Sequence, residues 1–121
     1  YGPVFPNGVV GGTYKVDLGR PVSVATVTTW SSNHNGVRGP QRFALFGSDA
    51  THDPGWDPAA FEPIAEVDTT DRHAGPMSAT VVRRTADEPL GSFRWLLWVT
   101  QPVTDRGENT AFQEFEVTAA Q

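Results

Sequence analysis

Apolar and polar residues alternate along much of this chain with the two-residue period of β-strands. Residues 13–18 alternate regularly, and the glycine and proline that follow are predicted to end this first strand. In the next segment the step from Val24 to Val27 breaks the alternation. Because a regular strand cannot pass through that step, we expect a bulge or turn near Ala25.

Further strands are predicted where alternation resumes, at residues 41–48, 64–68, 77–84, 92–100 and 112–118. Between the first two of these strands, residues 49–61 are predicted to form an irregular connection or a short helical turn. The strand at 92–100 carries apolar side chains at both odd and even positions, which is typical of a central strand packed on both faces. One alternative remains for Trp98 and Leu96, which would form an exposed aromatic patch if one sheet face were open.

The spread of turn-forming residues supports an all-β architecture. The 121 residues include 12 glycines and 10 prolines, and no long stretch has helical spacing. About seven strands at regular intervals predict a jelly-roll β-sandwich. Residues 13–121 are predicted to form this single domain, preceded by a linker or irregular lead-in over residues 1–12.

Composition excludes several classes of function. A net charge of −5 argues against nucleic-acid binding, and no apolar run is long enough for membrane insertion. The absence of cysteine removes disulfides, thiol catalysis and thiolate metal sites. Because the chain begins with Tyr1 and not Met, we expect it to be a piece of a longer protein.

A polar loop at residues 31–40 lies between two predicted strands. It gathers Asn33, His34, Asn35 and Arg38 among glycines, and ordering such side chains is costly unless they bind something. Two interpretations fit this loop. It binds a ligand, or it is solvated and Arg38 bonds to neighbouring carbonyl groups.

Three landmarks resemble the discoidin-like family, also called coagulation factor V/VIII type C domains, which includes carbohydrate-binding modules of family 32. The first is YKVDLG at residues 14–19, and the second is RGPQRFALFGSD at residues 38–49. The third is the pair SFRWLLWV and FQEFEV, at residues 92–99 and 112–117. Together the landmarks span about four-fifths of the chain.

The resemblance implies an eight-stranded jelly roll of the galactose-binding-domain type, with ligand loops at one end. Most family members bind sugars, and some bind anionic lipid or protein. In the sugar-binding modules a histidine, an arginine, an asparagine and an aromatic residue form the pocket. The matching candidates here provide hydrogen-bonding groups and a stacking face: His34, Arg38 and Asn109, with Trp56 or Phe112.

Each of the last three candidates also has a purely structural interpretation. Trp56 would plug a hydrophobic edge beneath its own loop, Asn109 would be an ordinary turn former, and Phe112 would cover the outside of the sheet. The family also commonly holds a structural calcium ion, partly through the first glutamate of its closing strand, which is Glu114 here. This chain has thirteen residues before Tyr14, where the family usually has thirty or more that include other calcium ligands.

Catalytic motifs are absent from the sequence. Glu114 and Glu116 share one face of a predicted strand, as the paired carboxylates of a glycosidase do, but adjacent charges on an outer face are also common. Asp49, Asp53 and Asp57 lack the glycine and the glutamate of a calcium loop. No nucleophile-elbow, zinc or phosphate-loop motif is present, so the chain is predicted not to be an enzyme.

These observations predict a non-catalytic carbohydrate-binding module. It would hold a larger secreted or surface-attached bacterial protein against a glycan, outside the cell, beside other domains of the same protein. The alternative is a protein-interaction or assembly domain that uses the same loops or the face around Trp98. The first hypothesis requires sugar binding, and the second requires a specific complex with a neighbouring domain.

Overall fold

The computed structural model describes residues 12–32, 41–69, 77–84, 88–101 and 112–120, with the backbone alone at 31–32, 77–78 and 112–114. Nearly all of the regular structure in these residues is β-strand. The six strands are β1 Gly12–Ser32, β2 Arg42–Ser48, β3 Glu62–Asp68, β4 Met77–Arg83, β5 Gly91–Thr100 and β6 Phe112–Ala119. A single 3₁₀ turn at Pro58–Ala60 interrupts the connection from β2 to β3, as the sequence predicted. No helix in the described residues has the length and apolar character needed to span a membrane.

The long strand β1 belongs to both layers of the protein. Its first half pairs with β5, which pairs with β2, and β2 pairs with β3. Its second half pairs with β4 on one side and β6 on the other. All of these pairings are antiparallel, so β1 joins the layer β3-β2-β5-β1 to the layer β4-β1-β6. The fold is therefore an all-β sandwich, as predicted.

Two irregularities allow β1 to pass from one layer to the other. Its register against β5 shifts between Asp17 and Val22, where Gly19 has a φ of 86° that glycine adopts without strain. The prediction that the strand ends here is wrong, because the chain bends at this bulge and continues in strand conformation. The register against β6 shifts between Val24 and Thr26, which confirms the irregularity expected near Ala25.

The main hydrophobic core lies between the two layers and contains residues from both: Val24, Val27, Phe43, Leu45, Leu96 and Trp98. The Trp98 ring is fully buried and packs against Phe115 of β6, with ring centroids 4.6 Å apart. The predicted cover on this face of the strand is therefore confirmed, and the alternative of an open aromatic face at Trp98 and Leu96 is excluded, because the β4-β1-β6 layer covers both side chains. Burial also raises the pKa of Tyr14, beside Phe115, to about 12, which keeps this phenol neutral.

A second, smaller apolar cluster covers the other face of β5. Trp95 and Leu97 pack there against Phe61, which lies between the 3₁₀ turn and β3. The central position predicted for β5 is confirmed, since it pairs on both edges and is buried on both faces. This second face, which we call the outer face, is covered by the connection between β2 and β3.

Candidate ligand-binding end of the sandwich

Three connections leave the sandwich from the same end. They join β1 to β2, β3 to β4, and β5 to β6, so the ends of β1, β3 and β5 meet the starts of β2, β4 and β6. The strand register shows this within each layer, because the terminal pairs are Ser32 with Met77 in one layer, and Arg42 with Asp68 and Phe43 with Thr100 in the other. A hydrogen bond from Thr29 of β1 to Gln41, just before β2, brings the two sets of strand ends together. We call this region the loop end.

The buried side chain of Gln41 ties the two layers together at the loop end. Its Oε1 accepts a hydrogen bond of 2.6 Å from Thr29 Oγ1, and its Nε2 donates one of 3.1 Å to the Thr29 carbonyl. Its backbone N–H donates to Thr69 Oγ1, and its carbonyl accepts from the Thr69 N–H, both at 2.8 Å. Gln41 thus fixes the start of β2 against β1 and against the segment that follows β3.

A shallow cleft of about 450 Å³ opens beside the loop end, along β2 and β3. Arg42, Glu66, Asp68 and Gln101 line it with charged and amide groups. Arg42 Nε lies 3.8 Å from Asp68 Oδ2, and the Gln101 N–H donates to the Arg42 carbonyl at 2.9 Å. The volume and the few polar groups suit a small ligand. Sequence patterns missed this cleft, because only the pairing of β2 with β3 brings Arg42 and Asp68 together.

The predicted site residues fall into three groups. His34, Arg38 and Asn109 lie outside the described residues, on the connections that leave the loop end. The backbones of Phe112 and Glu114 lie in the first three residues of β6, opposite Ser31 and Trp30 of β1. Trp56 is described in full and lies elsewhere.

Trp56 lies on the outer face and not at the loop end. The connection that carries it leaves β2 at the opposite end and folds back over β1 and β5. Its side chain is 55% exposed, which does not fit a hydrophobic plug. The Lys15 ammonium lies 4.2 Å from the centroid of the Trp56 ring, in the range of a cation–π contact. Trp56 is thus placed over β1 by its contact with Lys15, and its sugar-stacking role stays a prediction.

One ion pair, and a hydrogen bond from the arginine of a second ion pair, hold this connection on the outer face. Lys15, whose side chain is only 6% exposed, contacts Asp53 Oδ1 at 2.5 Å. Arg94 binds both carboxylate oxygens of Asp17, at 2.8 and 3.1 Å, and donates to the Thr51 carbonyl at 2.7 Å. The hydrogen bond from Arg94 lowers the pKa of Asp17, and the hydrogen bond from Lys15 lowers the pKa of Asp53.

These lowered pKa values predict that the free energy of unfolding decreases as the pH falls into the acid range. A carboxyl group with a lower pKa in the folded state stabilises the fold above its unfolded pKa of 3.8, and this contribution is lost as the pH falls through the folded pKa. We expect urea denaturation to show a smaller loss of stability below about pH 4 for an Asp17→Asn/Asp53→Asn double variant than for the wild type. Parallel acid profiles for the wild type and the double variant would contradict the prediction.

Metal binding finds no support in the described residues, where no group of three or more His, Asp or Glu side chains lies close enough to hold an ion. The predicted calcium ligand Glu114 is described only by its backbone, so its role stays a prediction.

No protein-family model matches this chain, and no curated protein matches its sequence. Solved structures do resemble it. They include a GH29 fucosidase of Ruminococcus gnavus in complex with fucose and a mutant of that enzyme, also in complex with fucose. Each has a TM-score of 0.68 at 14% sequence identity over 98% of this chain. The match covers 20% of the fucosidase chain, so this chain spans about one-fifth of the length of the fucosidases it resembles. The likeness shows the β-sandwich fold.

Proposed function

We propose that this chain is a non-catalytic carbohydrate-binding domain of the discoidin-like type, which binds a sugar at its loop end. The observation that supports this function best is the convergence of strand ends. Two connections that carry predicted site residues leave the sandwich there. The connection from β1 to β2 contains His34 and Arg38, and the connection from β5 to β6 contains Asn109. Residues about seventy positions apart along the chain therefore have neighbouring anchor points.

The chemistry of these side chains suits a sugar. Imidazole, guanidinium and amide groups are planar and form hydrogen bonds with pairs of neighbouring hydroxyl groups. An aromatic ring completes such a site by packing against the C–H side of the sugar. Phe112 is the candidate for that ring, because it begins β6 at the loop end, and the cleft beside Arg42 and Asp68 offers space for an adjoining sugar unit.

The similar structures support the same proposal. Their names describe fucosidases in complex with fucose, and this chain corresponds to one-fifth of their length. A domain of that size fits an accessory role, in which it holds a larger extracellular protein against a glycan. Fucose and galactose are therefore the first sugars to test.

We expect weak binding of a single sugar, with a dissociation constant on the order of 1 mM, because a shallow site makes few contacts. A His34→Ala/Arg38→Ala double variant should weaken binding at least about tenfold in isothermal titration calorimetry. The control is Arg83→Ala/Arg84→Ala, which removes two exposed cations at the opposite end and should leave affinity unchanged. Equal affinities for the wild type and the His34/Arg38 variant would contradict this assignment of the pocket.

A further inference from the structure

Trp56 presents an exposed indole ring on the outer face. Among the described residues, Trp56 at 55% and Val81 at 51% are the exposed large hydrophobic side chains. Val81 belongs to β4 in the other layer, so the two do not form one patch. The apolar surface offered by Trp56 is thus about one ring, far below the roughly 800 Å² that each partner buries in a stable protein interface. A ligand of the size of a single ring matches this surface better than a protein.

The segment that carries this ring is fixed by side chains of β1 and β5. Trp95 Nε1 donates to the Ala50 carbonyl at 2.9 Å, and Arg94 donates to the Thr51 carbonyl at 2.7 Å. Lys15 donates to the Gly55 carbonyl at 2.9 Å, next to Trp56 itself. These bonds are made without any ligand, so little conformational entropy remains to be lost when one binds.

Lys15 also determines which ligands the ring can accept. Its ammonium lies over the Trp56 ring, so Lys15 already occupies the position at which this aromatic face attracts a cation. A second cation on the opposite ring face would be repelled by Lys15. A neutral ligand with C–H groups avoids this repulsion and still gains contact area on the flat ring.

We propose that the outward ring face of Trp56 is a second sugar-binding site, which stacks against the C–H face of a neutral sugar ring. Asp57 follows directly in the chain, is exposed, and uses Oδ1 to accept the Ala59 N–H. Its carboxylate also provides an acceptor for sugar hydroxyl groups. The site is separate from the loop end and does not depend on His34 or Arg38. Two sites on one domain bind a polymeric glycan with a higher overall affinity than either site alone would, provided that one glycan molecule is long enough to reach both sites.

The test follows the four indole N–H signals of the intact chain by ¹H–¹⁵N NMR. The Trp56 signal is assigned by its loss in a Trp56→Phe variant, and the wild type is titrated with L-fucose, D-galactose and, separately, choline. We expect both sugars to shift the Trp56 signal and choline to leave it unchanged. The signals of buried Trp95 and Trp98 serve as internal controls and should stay in place. Trp56→Ala should reduce retention on a polymeric glycan column about tenfold or more.

The outcomes separate the two sites. A Trp56 signal that does not move, while the His34/Arg38 variant loses sugar binding, overturns the second site and leaves the loop-end pocket intact. A Trp56 shift that persists in the His34→Ala/Arg38→Ala variant supports the second site independently of the first. A larger shift with choline than with either sugar overturns the assignment to neutral sugars. If no sugar shifts the Trp56 signal and none binds in calorimetry, both sites are rejected.

Discussion

Replacing Trp98 with alanine is expected to lower the free energy of unfolding by about 3–5 kcal/mol, as large core truncations do. The indole is fully buried between the layers and packs against Phe115. Its Nε1 has no hydrogen-bond partner among the described residues, so the loss is mainly one of packing. A single domain has about 5–15 kcal/mol of stability in total. Urea denaturation should therefore show a midpoint far below that of the wild type.

The matched control is the same substitution at Trp56. That ring is more than half exposed, and its main described contact is with the Lys15 ammonium, so Trp56→Ala should cost about 0.5–1 kcal/mol. A Trp98→Ala variant that is no less stable than Trp56→Ala would contradict the placement of Trp98 in the core between the layers.

Replacing Gln41 with alanine is expected to cost about 2–4 kcal/mol, since it leaves a cavity and removes the acceptor of a buried hydroxyl group. Thr29 Oγ1 donates to Gln41 Oε1 at 2.6 Å, and both residues are almost inaccessible to solvent. The backbone bonds between Gln41 and Thr69 survive the substitution. Because Gln41 anchors the start of β2 at the loop end, sugar binding there should weaken together with stability.

Gln101→Ala is the control for this substitution. Gln101 is exposed beside the same cleft, and its truncation should change the free energy of unfolding by no more than about 0.5 kcal/mol. Both variants are compared by thermal and urea denaturation, followed by sugar titration of the folded protein. If Gln41→Ala unfolds at the same urea concentration as the wild type, the buried amide does not join the layers.

Periodic segments of the sequence predicted most of the strands because their side chains alternate between core and solvent. β5 is the clearest case, since apolar residues on both faces required cover on both sides, and both apolar clusters include its residues. The break between Val24 and Val27 likewise located an irregularity of β1. In each case the local pattern carried the information, because the two-residue period ties side-chain identity to sheet face.

Features that depend on pairing between distant segments could not be read from the pattern. Gly19 and Pro21 resemble a strand end, yet β1 passes through them because β5 offers partners before and after the bulge. Lys15 occupies a polar position of its strand, and only the folding-back of the connection from β2 to β3 buries it under Asp53 and Trp56. The cleft at Arg42 and Asp68 likewise exists only through the register of β2 against β3.

The membership of β1 in both layers has a consequence for the order of folding. Gly12 is joined to Thr100, 88 positions later, and β1 finds its last partner in β6, near the C-terminal end of the sequence. Folding is expected to be slow, because these large loops must close, with a loss of chain entropy, before the contacts that stabilise them can form. During synthesis, the edge of β1 that pairs with β6 stays unpaired until the strand at 112–119 has left the ribosome, and until then that edge is open to aggregation or to chaperones.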